Sequence, residues 1–208
     1  MGTVAKDSGG GDFKLVPAGA HVAICDQVVD LGIQPGGMYD PKQKVYLRWQ
    51  IPGERVKWTK DGQEHEGPAI IGRTFTLSLS EKGYLRPILE SWRGRPFTPA
   101  ELKGFDVKNV LGVPCMVQVT HETATSGKTY ANVVAVMSMP KGVAKPELNG
   151  EALHYSTDHP AQSVFDKLSP WIREKINARL SPEDAIHKMA ESETDDPGYD
   201  KADDEVPF

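Results

Sequence analysis

The chain is poor in cysteine: Cys25 and Cys115 are its only two in 208 residues, and each lies inside an apolar, strand-like run. That excludes a disulfide-built scaffold and any cysteine-rich zinc site, and leaves free buried thiols as the expected state. Long apolar runs are missing too. None reaches the roughly 18 residues of a membrane span, and Met1 to Asp12 is Gly-rich and polar rather than signal-like, so a cytoplasmic protein without membrane contact is expected. There is no internal repeat. Aromatic residues make up only 8% of the chain, yet the 38% hydrophobic content is enough for one core.

Catalytic motifs are equally scarce. No Gly-x-Ser-x-Gly segment marks a nucleophile. Gly127-Lys128-Thr129 has the end of a phosphate loop, but Glu122 stands where the first glycine belongs and the strand-like Tyr130 to Val136 follows instead of a helix. Glu64-His65-Glu66 reads as a hydrated charged loop, and His21, His121, His154, His159 and His187 are scattered without zinc spacing. A non-catalytic protein is expected, with no cofactor and no metal.

What is present begins with charge. The whole chain carries −5, but the segment from Glu191 to Phe208 holds eight carboxylates against Lys201 alone, a local −7 that leaves the rest at +2. A mildly basic body with an acidic end differs from the uniformly acidic protein that a pI of about 5.7 suggests. Acidic composition by itself predicts a solvating, disordered tail. The closing Asp203-Asp204-Glu205-Val206-Pro207-Phe208 adds an apolar tip that solvation does not require, and it reads as a handle for partner proteins.

In the body, periodicity predicts strands at His21 to Val29, Lys44 to Ile51, Ile70 to Ser80, Cys115 to Thr120 and Tyr130 to Met139. The first ends in a turn region, Gly32 to Gly37. In the second, Val45, Leu47, Trp49 and Ile51 share one face while Lys44, Tyr46, Arg48 and Gln50 share the other. One face asks for a core, and the other for an anionic, stackable partner. Pro52 to Pro68 is long and polar, and its Asp61-Gly62 pair predicts a projecting hairpin. Leu85, Ile88, Leu89 and Trp92 lie at helical spacing, with Pro87 placing the helix start near Tyr84. Thr98-Pro99-Ala100-Glu101 is a capping box for a further helical turn.

Three strands, a helix and two strands is the element order of a five-stranded OB-fold-like Greek-key barrel. The expected fold is therefore mainly β, with that barrel in residues 1–145. Residues 146–190 are read as a linker, Glu147 to Pro160, and a C-terminal helical segment. Two short helices meet near Ser169 and a third, capped by Ser181, runs to about Ala190. These helices pack on the barrel or contact a second subunit, and both arrangements stay open. Residues 191–208 form the disordered acidic tail.

Cations are interleaved with aromatics along this body: Tyr39, Lys42, Lys44, Tyr46 and Arg48, then Lys57, Trp58 and Lys60, then Arg73, later Arg93, Arg95 and Phe97, and finally Lys128 and Tyr130. Cations displace the counterions of phosphates, and flat side chains stack on bases at roughly 1–3 kcal/mol each without reading sequence. The second and third strands of an OB-fold and its neighbouring loops line the usual groove, which places Tyr46 and Arg48 in it. Against this, a strand aromatic serves a core as readily as a platform, and single Lys and Arg side chains are commonly just solvated. Trp49, Phe75 and Trp92 are assigned to the core.

The acidic tip and the element order together resemble the single-stranded DNA-binding proteins of bacteria and their phages, in which a barrel binds the strand and a flexible acidic tail ends in an Asp-rich, Pro-Phe tip. Asp203, Asp204, Val206, Pro207 and Phe208 match that tip. The chain departs from the family in lacking a long Gly- and Gln-rich linker and in inserting helices before the tail, which points toward a phage-encoded member acting in the host cytoplasm. The resemblance implies sequence-tolerant coating of single strands during replication, recombination and repair, with replication or recombination proteins recruited through Asp203 to Phe208. Two rival readings are an acidic adaptor or DNA mimic that inhibits a host nucleic-acid enzyme, and a small nuclease on the same barrel. A mimic needs its acids on a folded surface, and a nuclease needs clustered carboxylates in the body; neither pattern is found.

Overall fold

A computed structural model describes residues 15–194 apart from Met38 and Asp61. The acidic tip, Asp203 to Phe208, lies outside the described residues. The architecture is mainly β: β1 (Gly19–Gly36), β2 (Tyr39–Lys60), β3 (Gln63–Thr76), β4 (Pro114–Thr123), β5 (Thr129–Met137) and the short β6 (Leu153–Tyr155) form one sheet in the order β3-β2-β1-β4-β5, with β6 alongside β1. All pairings are antiparallel except that of β6 with β1. Helices α1 (Leu85–Arg93) and α2 (Pro99–Leu102) separate β3 from β4, and α3 (Gln162–Phe165), α4 (Pro170–Asn177) and α5 (Pro182–Thr194) follow β6. Among the described residues no helix is long and apolar enough to cross a membrane.

The sheet is not closed into a barrel: no backbone ladder among the described residues joins its edge strands β3 and β5. They do approach each other. Arg73 on β3 donates from Nη1 to the Val133 carbonyl of β5 at 2.6 Å, a side-chain strut across the gap.

The inner face behaves as its pattern demands. Val45, Leu47, Trp49 and Ile51 of β2 pack with Phe75, Val117, Val133 and the apolar stripe of α1, Leu85, Ile88, Leu89 and Trp92. Trp49 and Trp92 meet with ring centroids 5.9 Å apart, and the Trp92 indole donates to Pro114 O. Helix α1 starts after Tyr84 as Pro87 requires and stops at Gly94, whose φ of 69° makes the left-handed C-terminal turn. The capping box forms as read: Thr98 accepts from Glu101 N, and the Glu101 carboxylate accepts from Thr98 N. Cys25 and Cys115 are buried free thiols whose pKa values desolvation pushes up.

Four expectations about the strands are corrected. Strand β1 does not end at Val29 but continues to Gly36, because Leu31 finds a core; Gly32, read as part of a turn, is instead a bulge with φ 72°, its N–H donating to Asp30. Strand β2 begins at Tyr39 and runs beyond Ile51, since a register shift between Ile51 and Arg55 absorbs the Pro52-Gly53 interruption and the ladder resumes from Arg55 to Lys60 against Gln63 to Pro68. The projecting hairpin is therefore real but paired along its length. β3 stops at Thr76 rather than Ser80, where Leu77 N turns to the Gln43 carbonyl. Finally, the span read as a linker contains β6, whose Leu153 and Tyr155 are buried.

That last correction reflects a second core on the outer face of the sheet. Val29 and Leu31 of β1 and Tyr46 of β2 pack with Leu153, Tyr155, Leu168, Ile172 and Ile176 from the C-terminal segment. Of the two arrangements open for these helices, the structure packs them on the sheet. Gly72 permits the close fit of Tyr46: a Cβ at position 72 would lie 2.0 Å from the Tyr46 hydroxyl oxygen. Gly72→Ala is expected to destabilise the fold by about 1–3 kcal/mol through overpacking, measured as a lower urea midpoint at unchanged slope.

Candidate nucleic-acid interface

The sequence reads the outer face of β2, with Tyr46 and Arg48, as part of a groove; in the structure both side chains are engaged by the chain itself. Tyr46 is only 9% exposed, with the Trp171 ring of α4 set edge-on at 4.9 Å. Burial pushes its hydroxyl pKa up to about 12. Arg48 makes a two-pronged ion pair with Asp26, Nε to Oδ1 at 2.9 Å and Nη2 to Oδ2 at 2.7 Å. The Asp26 side chain is fully buried and also accepts from Gln50, which in turn clasps the backbone of Asn149. A bulge between Cys25 and Gln27 leaves Asp26 out of the β1–β2 ladder. The stackable and anionic partners that this face asked for are thus residues of the chain itself.

Other predicted residues come together elsewhere. The β2–β3 and β4–β5 hairpins border a cleft of about 1550 Å³ where the sheet edges part. Trp58, 43% exposed, and Tyr130, 45% exposed, line it from opposite hairpins, and Ile70 contributes an apolar patch at 51% exposure. Lys57 borders the cleft on the Trp58 side, and Lys128 lies with Nζ 5.4 Å from the Tyr130 ring centroid.

Trp58 is held rather than loose. Its cross-strand neighbour is His65, and the two rings stack at 5.7 Å with 17° between their planes. Gly67 leaves the room: a Cβ there would come within 2.9 Å of the indole. A platform fixed before binding loses little rotamer freedom on binding. His65 is thereby a support for Trp58, and Glu66 beside it pairs with Arg55 at 3.0 Å. Among the described residues no group of three or more His, Cys, Asp or Glu side chains converges on a metal-sized site.

Lys42, Lys44 and Arg73 lie apart from the cleft, at the far end of β3, while Tyr39 is exposed at the start of β2 and lines neither hollow. The Lys60 side chain lies outside the description. Arg93, Arg95 and Phe97 are engaged within the fold. Arg93 stacks on Phe97 and Phe105, and both arginines hold Glu101, whose pKa they and the Thr98 N–H keep well below the usual carboxylate range. The sequence does not mark Arg55 and Ile70 of the cleft, or the exposed Tyr84, as site residues. The Lys82-Gly83-Tyr84 run, a cation and an aromatic in a turn, was the available signal for Tyr84. No protein-family model matches the chain, and no curated protein matches it.

Proposed function

We propose that the chain is a non-catalytic, sequence-tolerant single-stranded DNA-binding protein acting in replication, recombination or repair, and that the strand enters the cleft between the β2–β3 and β4–β5 hairpins. The observation that carries this reading is the pair of exposed aromatics, Trp58 and Tyr130, on two hairpins of one cleft, each with a lysine beside it. Bases stack on such rings irrespective of sequence, and lysines replace the counterions of the backbone. A duplex, with its bases already stacked, has none to offer.

The strand order and the helix between β3 and β4 support assigning the sheet to the OB type, a partly open five-stranded barrel in which Arg73 bridges the seam. The cleft then lies at the strand ends, near the loops that such barrels use. The covering of Tyr46 and Arg48 favours a site at the hairpin tips over one on the outer face.

The acidic tip is assigned to recruitment of partner proteins. Phe208 would enter an apolar pocket while Asp203 and Asp204 meet a basic rim. The charge division between tail and body supports a competing role for the tail, lying over the cations of the body until nucleic acid displaces it. Fluorescence anisotropy of labelled single-stranded and duplex oligonucleotides at several salt concentrations tests both ideas. Single strands are expected to bind in preference to duplex, more weakly as salt rises. Deleting Asp200 to Phe208 is expected to tighten single-strand binding several-fold at low salt, the gain vanishing as salt screens the tail. Equal binding of duplex, or none at low salt, would sink the function; unchanged affinity on deletion would remove the competing role.

A further inference from the structure

The end of β3 away from the cleft bears a second, cationic hollow of about 570 Å³. Lys42 and Lys44 of β2, Arg73 of β3, and Lys82 and Tyr84 from the turn before α1 border it, and no carboxylate among the described residues does. Glu81, adjacent in sequence, is turned to Arg86 at 3.4 Å.

Two of these cations are positioned by the fold. Lys44 Nζ donates to Thr76 Oγ1 at 2.8 Å, and the Arg73 guanidinium, anchored on Val133 O, lies 5.5 Å from the Tyr84 ring centroid. Tyr84 is 75% exposed, and although it precedes the first residue of α1, its side chain makes no capping hydrogen bond. Its exposed ring beside a cation repeats the Tyr130–Lys128 arrangement of the cleft. Four positive side chains around one hollow without a carboxylate raise the local potential and favour an anion there.

The hollow and the cleft are joined by β3. The cleft is bordered by β3 residues up to Gly72, and the hollow by those from Arg73 onward. At about 3.3 Å per residue, His65, the cross-strand neighbour of Trp58, and Thr76, that of Lys44, lie roughly 36 Å apart along β3. Four stacked nucleotides at about 3.4 Å each do not bridge that distance, whereas about 15 nucleotides do.

We propose that the hollow is a second single-strand subsite, taking a phosphodiester among Lys42, Lys44 and Lys82 and a base on Tyr84, with the strand running along β3 from the cleft. The proposal rests on the single-strand reading of the cleft. The test compares a thymidine tetranucleotide with a thymidine oligomer of about 15 nucleotides, binding the full chain, Lys82→Ala/Tyr84→Ala, and Trp58→Ala. Both replaced side chains of the double variant are exposed, so its melting curve is expected to match the wild type.

In the wild type the longer oligomer is expected to gain affinity over the tetranucleotide. That gain is expected to shrink by roughly tenfold or more in Lys82→Ala/Tyr84→Ala. Loss of the Lys82 contact is also expected to flatten the salt dependence of the longer oligomer by roughly 0.7 in log–log slope. A length gain and salt slope unchanged by the double variant overturn the subsite, while tetranucleotide binding that weakens in Trp58→Ala leaves the cleft reading standing. Failure of the wild type to bind either length overturns both.

Discussion

Replacing Trp58 and Tyr130 together by alanine is expected to lower single-strand affinity by roughly thirtyfold or more, with little change in stability. Each ring that stacks a base contributes about 1–3 kcal/mol, or roughly 5- to 150-fold, and the two lie on different hairpins, so their effects approach additivity. Neither ring belongs to either buried core, so the fold does not depend on them. Phenylalanine at either position keeps a stacking face and is expected to retain most of the affinity. Anisotropy titrations of the single and double variants, alongside urea melts, separate these outcomes. Wild-type affinity in the double variant would show that the strand is held elsewhere.

The second large effect is on folding. Arg48→Ala strips the fully buried Asp26 carboxylate of its counter-charge and, among the described residues, leaves only the Gln50 amide donating to it. Breaking such a pair by removing one partner costs about 3–5 kcal/mol, because the remaining charge stays desolvated. For a protein of this length that corresponds to a fall in Tm of roughly 6–20 °C. Replacing both partners by apolar residues, Asp26→Leu/Arg48→Met, is expected to recover much of the loss, since the penalty arises from the orphaned charge rather than from the missing bond. Thermal melts of the three variants test this. If Arg48→Ala melts like the wild type and instead loses oligonucleotide binding, Arg48 contacts phosphate after all.

The contrast between these variants shows what could be read from residues alone. The inner face of β2 was legible because Val45, Leu47, Trp49 and Ile51 alternate strictly, and α1 because Pro87 and the spacing of Leu85 to Trp92 admit one helix start. The outer face was not. Its pattern of Tyr46 and Arg48 between polar neighbours is what a binding surface shows, and also what a surface covered by the chain's own elements shows. The deciding partners are Trp171, remote in sequence, and Asp26, whose position depends on a bulge that no local propensity announces. Trp58 and Tyr130 were legible as individual residues in polar hairpins. Their convergence was not, because it follows from how two hairpins part at an open seam. β6 escaped notice for a simpler reason: with three residues it is too short to display a period, and its pairing with β1 is set by what Leu153 and Tyr155 bury.

Strand β1 serves both cores. Ala23, Cys25 and Val28 belong to the interior shared with α1, while Val29 and Leu31 belong to the layer made by β6 and the C-terminal helices. Losing either layer strips one side of the same strand, so the two layers are expected to be coupled in unfolding and to melt as one cooperative unit instead of peeling apart. The amides of Val28 to Leu31, at the junction, then open only with the whole molecule and are the slowest to exchange their hydrogens with solvent.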